Sequence, residues 1–293
     1  MESNKYFLSE KKPELDEEKL ITLVRHALIE DIGKGDITTQ LTIPKDKEIK
    51  AVIKAKENLI VCGLLAAEMA FKITDKSLSF VPDVKEGSLV KKGKVIAQIN
   101  GKAKSILTAE RVALNLLSML SGIATKTREF VKKVEPHKVK ITDTRKTLPG
   151  LRDLQKYAVR IGGGHSHRMG LDEMVLIKDN HLKITEGLPK LPSVPKGYKI
   201  EIECQNLEEF KHALKFKPDV IMLDNMNLAD IKAAVEIRNN TEFKSHHPPT
   251  KLEVSGGVSL KTIQEIAACG TDIISIGELT HSIDAVDISL DIL

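Results

Sequence analysis

The sequence predicts an α/β chain whose C-terminal half is a β/α barrel, and three observations carry that prediction. First, six β-rich runs follow one another: Val139–Thr144, Glu173–Asn180, Tyr198–Gln205, Asp219–Asn225, Leu252–Gly257 and Asp272–Glu278. Second, helical patterns at 206–216, 227–238 and 259–269 lie between them, and successive run ends are 21 to 34 residues apart. That length suits one strand, one crossover helix and two short loops. Repeated βα units imply a parallel sheet, and with at least six of them a closed barrel is expected over an open sheet. Third, the apolar stretches VKIT, MVLI, IEI, VIML, LEV and IISI all lead into polar or glycine residues. Strand C-termini of this kind are where β/α barrels assemble ligand sites.

The N-terminal half reads differently. Residues 15–31 place Leu20, Leu23, Val24, Ala27 and Leu28 at helical spacing, with Gly33 and Gly35 as the stop. GDITTQLTIP then reads as a turn into a strand at Ile49–Lys54, and residues 59–72 as a second helix. Residues 78–100 read as short strands around two glycine turns. The tips KEGS and KKGK lack the Met or Asp that flanks the modified lysine of a biotinyl or lipoyl carrier, so an antiparallel sheet with solvated lysines is expected. Thr108 is the expected N-cap of a long connecting helix, with Glu110 in its first turn. The last segment, Ile283–Leu293, alternates as a strand and is expected to rejoin the N-terminal sheet.

Composition excludes several classes. The 293 residues are 41% apolar and 29% charged with a net charge of +4, which describes a globular chain tolerant of an acidic ligand. With no Trp, three Tyr and seven Phe there is no stacking platform for bases, so no nucleic-acid partner is expected. Cys62, Cys204 and Cys269 form no CxxC pair, which suggests buried, reduced thiols. The charged first 20 residues lack the apolar core of a signal peptide, and the apolar run Leu59–Phe71 is short for a bilayer. A cytoplasmic protein with no membrane partner is the expectation.

The strand ends carry the chemistry. Residues 141–181 hold seven Lys and Arg and three His, set beside turn residues rather than in one run, so they can converge on a small anionic ligand. Arg145, His167 and Arg168 suit carboxylates. Lys178, preceded by VLI, is expected to be nearly buried, either as an anion-binding cation or as a Schiff-base lysine of a barrel lyase. Glu203 and Asp224, on neighbouring strand ends, can ligate Mg²⁺, hold sugar hydroxyls or stabilise an oxocarbenium ion; ion pairing is the simpler use for both. Glu201 lies on the same face, one level deeper. Ser255-Gly256-Gly257 and Gly277 follow the last two strands, the usual phosphate cradle of barrels. His165 and His181 read as supporting residues and Cys204 as core.

AERVALNLLSMLSGIAT, TDTRKTLPGLR, IGGGHSHRMGLDEMVLIKDNH, LDNM, SGGV and SIGELTHS together resemble the quinolinate phosphoribosyltransferases, over about residues 20–293. The resemblance implies an N-terminal open-faced α/β sandwich (1–114, joined by 283–293) and a C-terminal α/β barrel of fewer than eight strands (115–282). It implies transfer of phosphoribosyl from phosphoribosyl pyrophosphate to quinolinate, with Mg²⁺, giving nicotinate mononucleotide, pyrophosphate and CO₂ for NAD biosynthesis. A homodimer with shared sites is implied, and a hexamer is left open. Arg145, His167, Arg168 and Lys178 would line the quinolinate site, with Arg111 from the other subunit. Lys146, Glu203 and Asp224 would handle ribose, pyrophosphate and metal, and Ser255, Gly256, Gly257 and Gly277 the 5-phosphate. Leu148, Glu173 and the loop 238–250 depart from the family pattern. Relatives on the same fold act on other pyridine carboxylates, but four cationic residues suit two carboxylates better than one.

Overall fold

The computed structural model describes residues 7–10, 13–189, 194–240 and 249–293. They fall into two compact units, one of residues 12–128, 153–163 and 282–293, the other of 1–11, 129–152 and 164–281. The boundary at 128/129 and the expected cut at 114/115 both fall within one long helix, residues 103–134.

The first unit begins with α1 (Glu17–Ile32), capped by Asp16 and buried along Leu20, Val24 and Leu28. The expected turn after it is a short helix, α2 (Ile37–Thr42), because the Asp36 carboxylate accepts the Thr39 N–H at 2.9 Å and nucleates it. Then come β1 (Glu48–Ala55), β2 (Leu59–Ile60) and α3 (Leu64–Thr74). The helix expected from residue 59 thus starts five residues later, after a strand. β3 (Ser79–Pro82), β4 (Leu89–Val90) and β5 (Val95–Lys102) turn at Gly87 and Gly93, both with positive φ.

α4 (Ala103–Val134) follows directly. Its start at Ala103 puts Thr108 and Glu110 inside the helix, so neither serves its N-terminus as expected; the Thr108 hydroxyl donates to Asp36 instead. An 18-residue window of α4 is apolar enough to cross a membrane, but 61% of it is buried within the protein. On that buried face Ser121 and Thr125 accept the Cys62 and Ile60 N–H groups at 2.9 and 2.8 Å, tying the β2 segment to the helix.

The second unit is built on β6 (Lys140–Thr142) and, after α5 (Arg152–Ile161), on five further βα steps. These are β7 (Val175–Ile177) with α6 (Asp179–Ile184), β8 (Ile200–Cys204) with α7 (Leu207–Lys215), and β9 (Val220–Asp224) with α8 (Leu228–Asn239). The last two are β10 (Lys251–Ser255) with α9 (Ile263–Ala268) and β11 (Ile273–Ser275) with α10 (Glu278–His281). All six strands are parallel, in the order β6-β11-β10-β9-β8-β7. Among the described residues no ladder joins β6 to β7. At that seam Thr142 bridges to His165 and Ser166 bridges to Phe7, so the N-terminal segment enters this unit. Phe7 and Leu8 are buried there with Met174, Val220 and Ile273.

β12 (Ile288–Ile292) pairs antiparallel with β1, which rejoins the chain's end to the first unit's sheet, ordered β12-β1-β5-β3. The strand reaches it by passing against α4 at Gly122, where a Cβ would stand 2.1 Å from the Asp284 carbonyl oxygen. Any larger residue there would force the two segments apart.

Candidate active site

A cavity of about 690 Å³ opens at the C-terminal ends of the six parallel strands. The size is that of a small-ligand or cofactor pocket. Every strand-end residue singled out above lines it: Arg145 and Lys146 after β6, His167 and Arg168 before β7, Lys178, Glu203 and Asp224 at the next three ends, then Ser255, Gly256, Gly257 and Gly277. Arg111 is exposed on α4 in the other unit.

The cations crowd one part of the cleft. Arg168 is 5% exposed and donates to the Met174 carbonyl at 3.0 Å. Burial and then the Arg145 charge push its guanidinium down from the ordinary arginine range, with Glu201 pulling the other way. Among the described residues the buried Nε of Arg145 has no hydrogen-bond partner. Two guanidiniums that repel one another, one with an unused donor, form a receptor for an anion carrying more than one charge.

Lys178 differs from the expectation. Its side chain is 44% exposed rather than nearly buried, because it leaves the sheet at the end of β7 and reaches across to ion-pair with Glu203. Next to it, His181 Nδ1 accepts the Lys178 N–H at 2.9 Å and caps α6. Glu203 is only 6% exposed, and Lys178 supplies the partner a buried carboxylate requires. Asp224 accepts from Asn225 Nδ2 at 2.9 Å, and the Asn225 N–H donates to the Ser255 carbonyl, fastening the end of β9 to that of β10.

His167 forms part of the floor. Its backbone N–H donates to Asp143, and its Nδ1 accepts the Arg168 N–H at 2.8 Å. Nε2 lies 3.1 Å from Glu201 and 3.6 Å from Glu253, both wholly buried. Burial opposes charge on the imidazole while the two carboxylates favour it; with Nδ1 accepting the Arg168 N–H, the ring's proton sits on Nε2, facing them. The carboxylates that His167 contacts are therefore the protein's own, and it offers the cleft ring surface. Burial, followed by Glu253, raises Glu201 above the ordinary carboxyl range.

The glycine side of the cleft is shaped for close approach. Gly256 has φ +87°, and a Cβ on it would stand 2.2 Å from Asn225 Oδ1. On the adjoining turn the Thr280 hydroxyl donates to the Lys146 carbonyl at 2.7 Å, tying the turn after β11 to the end of β6. Cys204 is core as expected, its thiol pushed up to about 12 by burial. Glu253 and His281 line the cavity and were not singled out by the sequence reading. Glu253 had a usable signal, since it lies two residues before Ser255 and so on the same strand face.

Family models make the assignment. Residues 36–121 match the quinolinate phosphoribosyl transferase N-terminal domain, and residues 123–291 match its C-terminal domain. The chain belongs to the quinolinate phosphoribosyltransferase family. A protein of Methanocaldococcus jannaschii described as a probable nicotinate-nucleotide pyrophosphorylase (carboxylating) is 43% identical over 281 residues, covering 93% of this chain and 96% of that one. Its namesake from Bacillus subtilis is 39% identical, covering 94% and 93%. The solved nicotinate-nucleotide pyrophosphorylase of Francisella tularensis superposes with a TM-score of 0.90 at 38% identity, covering 97% of this chain and all of that one. That likeness supports the fold described above, antiparallel sheet first and parallel strands with helices after.

Proposed function

We propose that this cleft joins quinolinate to phosphoribosyl pyrophosphate and removes one carboxyl group, giving nicotinate mononucleotide, pyrophosphate and CO₂ for NAD biosynthesis. The observation that carries the reading is the convergence of Arg145, Arg168 and Lys178 with a glycine cradle and two strand-end carboxylates in one cavity of a family member. The cationic side takes the pyridine diacid; the Ser255-Gly256-Gly257 turn and Gly277 take the 5-phosphate. Lys146 faces the pyrophosphate, and the carboxylates of Glu203 and Asp224 flank the ribose, where negative charge stabilises a developing oxocarbenium ion.

The chemistry then needs little beyond positioning. The pyridine nitrogen bonds to the anomeric carbon as pyrophosphate departs with the C–O bonding pair. The ring nitrogen becomes cationic, and loss of CO₂ from the adjacent carbon leaves an electron pair that this charge stabilises; a proton then fills that position. No covalent lysine is required. Lys178 Nζ is ion-paired with Glu203, which removes the reason for reading it as a Schiff-base residue.

Mg²⁺ belongs to the proposal. Two carboxylates on neighbouring strand ends beside a phosphate cradle suit an ion that binds through one or two carboxylates plus substrate phosphates. When bound it would neutralise pyrophosphate charge, with Glu203 and Asp224 holding it directly or through water. We also place the enzyme in the cytoplasm, as a homodimer in which Arg111 serves the partner's cleft.

Product analysis tests the reading. With phosphoribosyl pyrophosphate and Mg²⁺, quinolinate should release CO₂ and yield nicotinate mononucleotide, while nicotinate should be a poor acceptor. Equal use of nicotinate without CO₂ release would overturn it.

A further inference from the structure

Beneath the cleft floor lies a buried cluster that none of the roles above uses. Strand period two puts Glu201 one level below Glu203 on β8, and Glu253 one level below Ser255 on β10. Both carboxylates are 0% exposed. His167 reaches both, its Nε2 standing 3.1 Å from one and 3.6 Å from the other, and the Arg168 guanidinium feels the Glu201 charge directly. Among the described residues no side chain completes a well-aligned hydrogen bond to either. On a further side the ring meets Phe7 edge-on, centroids 5.1 Å apart at 76°. Phe7 is itself held by its bridge to Ser166, with the Leu8 N–H donating to the Ser166 carbonyl at 2.9 Å.

Buried ion pairs are poor stabilisers, and apolar residues of similar volume usually serve a core as well or better. Two wholly buried carboxylates below an anion-binding pocket are also unfavourable for the ligand. Their contribution must therefore be geometric. We propose that Glu201 and Glu253 are positioning residues for the diacid subsite: with Phe7 they fix the His167 ring, and through the bond from the Arg168 N–H to His167 Nδ1 they preset Arg168 before the ligand arrives. The inference rests on the cleft being the quinolinate site. It adds two wholly buried residues to the site, Glu253 at the cleft wall and Glu201 behind it.

The sign of the effect makes the idea testable. Removing negative charge under a dianion should tighten binding electrostatically; loosening a preset receptor should weaken it. The variants are Glu201→Gln, Glu253→Gln and the pair together, which keep side-chain volume. We expect KM for quinolinate to rise about tenfold in each single variant. KM for phosphoribosyl pyrophosphate should stay unchanged. Glu253→Asp should recover part of the loss. Phe7→Leu, which perturbs the ring from another side, should shift KM in the same direction by less, and it stands as the test should the Gln variants fail to fold.

An unchanged or lower KM for quinolinate in folded variants overturns the proposal, as does an equal rise in both KM values. If the wild-type enzyme itself does not turn over quinolinate, the parent reading falls instead. Calorimetric titration of quinolinate into wild type and variants then still decides whether Glu201 and Glu253 shape the anion site.

Discussion

Arg145 stands close enough to Arg168 to depress its basicity, a repulsion that a bound anion would relieve. Arg145→Ala or Arg168→Ala removes a charge-assisted contact to the ligand. Each should lower kcat/KM for quinolinate by about 10²-fold, in line with roughly 2–3 kcal/mol per such contact. The change should appear mainly in the quinolinate KM, read by steady-state kinetics at saturating phosphoribosyl pyrophosphate. Gly256 tests the other side of the cleft. At φ +87°, with Asn225 Oδ1 2.2 Å from where a Cβ would be, Gly256→Ala must displace Asn225 and with it the Asp224 carboxylate that Asn225 holds. Affinity for phosphoribosyl pyrophosphate should fall severalfold while quinolinate binding, measured alone, stays near wild type.

Asp75 shows how a single carboxylate joins elements. It follows α3, where its Oδ1 accepts the Ser77 N–H and hydroxyl at 2.9 and 2.6 Å, and its Oδ2 accepts the Ser105 hydroxyl from α4 at 2.8 Å. These bonds, the Ser77 hydroxyl foremost, depress its carboxyl to about 2. Because the folded value lies below the unfolded one, this stabilisation is complete above about pH 4. It is lost as pH falls from there through about 2. Asp75→Asn should therefore reduce the pH dependence of Tm in that window, seen by thermal melts at matched ionic strength. Capping acts at the same scale: Asp36 turned the segment after α1 into a helix that hydrophobic periodicity did not announce.

Arg111 is exposed on α4 and belongs to the unit without the cleft, which makes its proposed service to a partner's site a question about assembly. Assayed at quinolinate well below the variants' KM, Arg111→Ala and Arg145→Ala chains should each be nearly inactive alone. Mixed under conditions of subunit exchange, they should recover about a quarter of wild-type turnover, since half the dimers are hybrid and one of the two sites in each is intact. Absence of recovery in mixtures shown to contain hybrids would place Arg111 outside the shared site.

Composition and pattern by themselves determined the βα rhythm, all six parallel strands, the polar character of their C-terminal ends and the return of the last strand to the first unit. Those features follow from local periodicity and from loop length, which the order of residues expresses directly. Strand parity also puts Glu201 below Glu203. Only the tertiary structure decided how the side chains meet. Lys178 is half-exposed and paired across the mouth with Glu203, because the end of β7 faces that of β8. His167 is claimed from below by Glu201 and Glu253, and its ring is backed by Phe7 from the opposite end of the sequence. Contacts between residues 20 to 160 positions apart depend on how strands coil around a common axis, and no window of sequence contains that information.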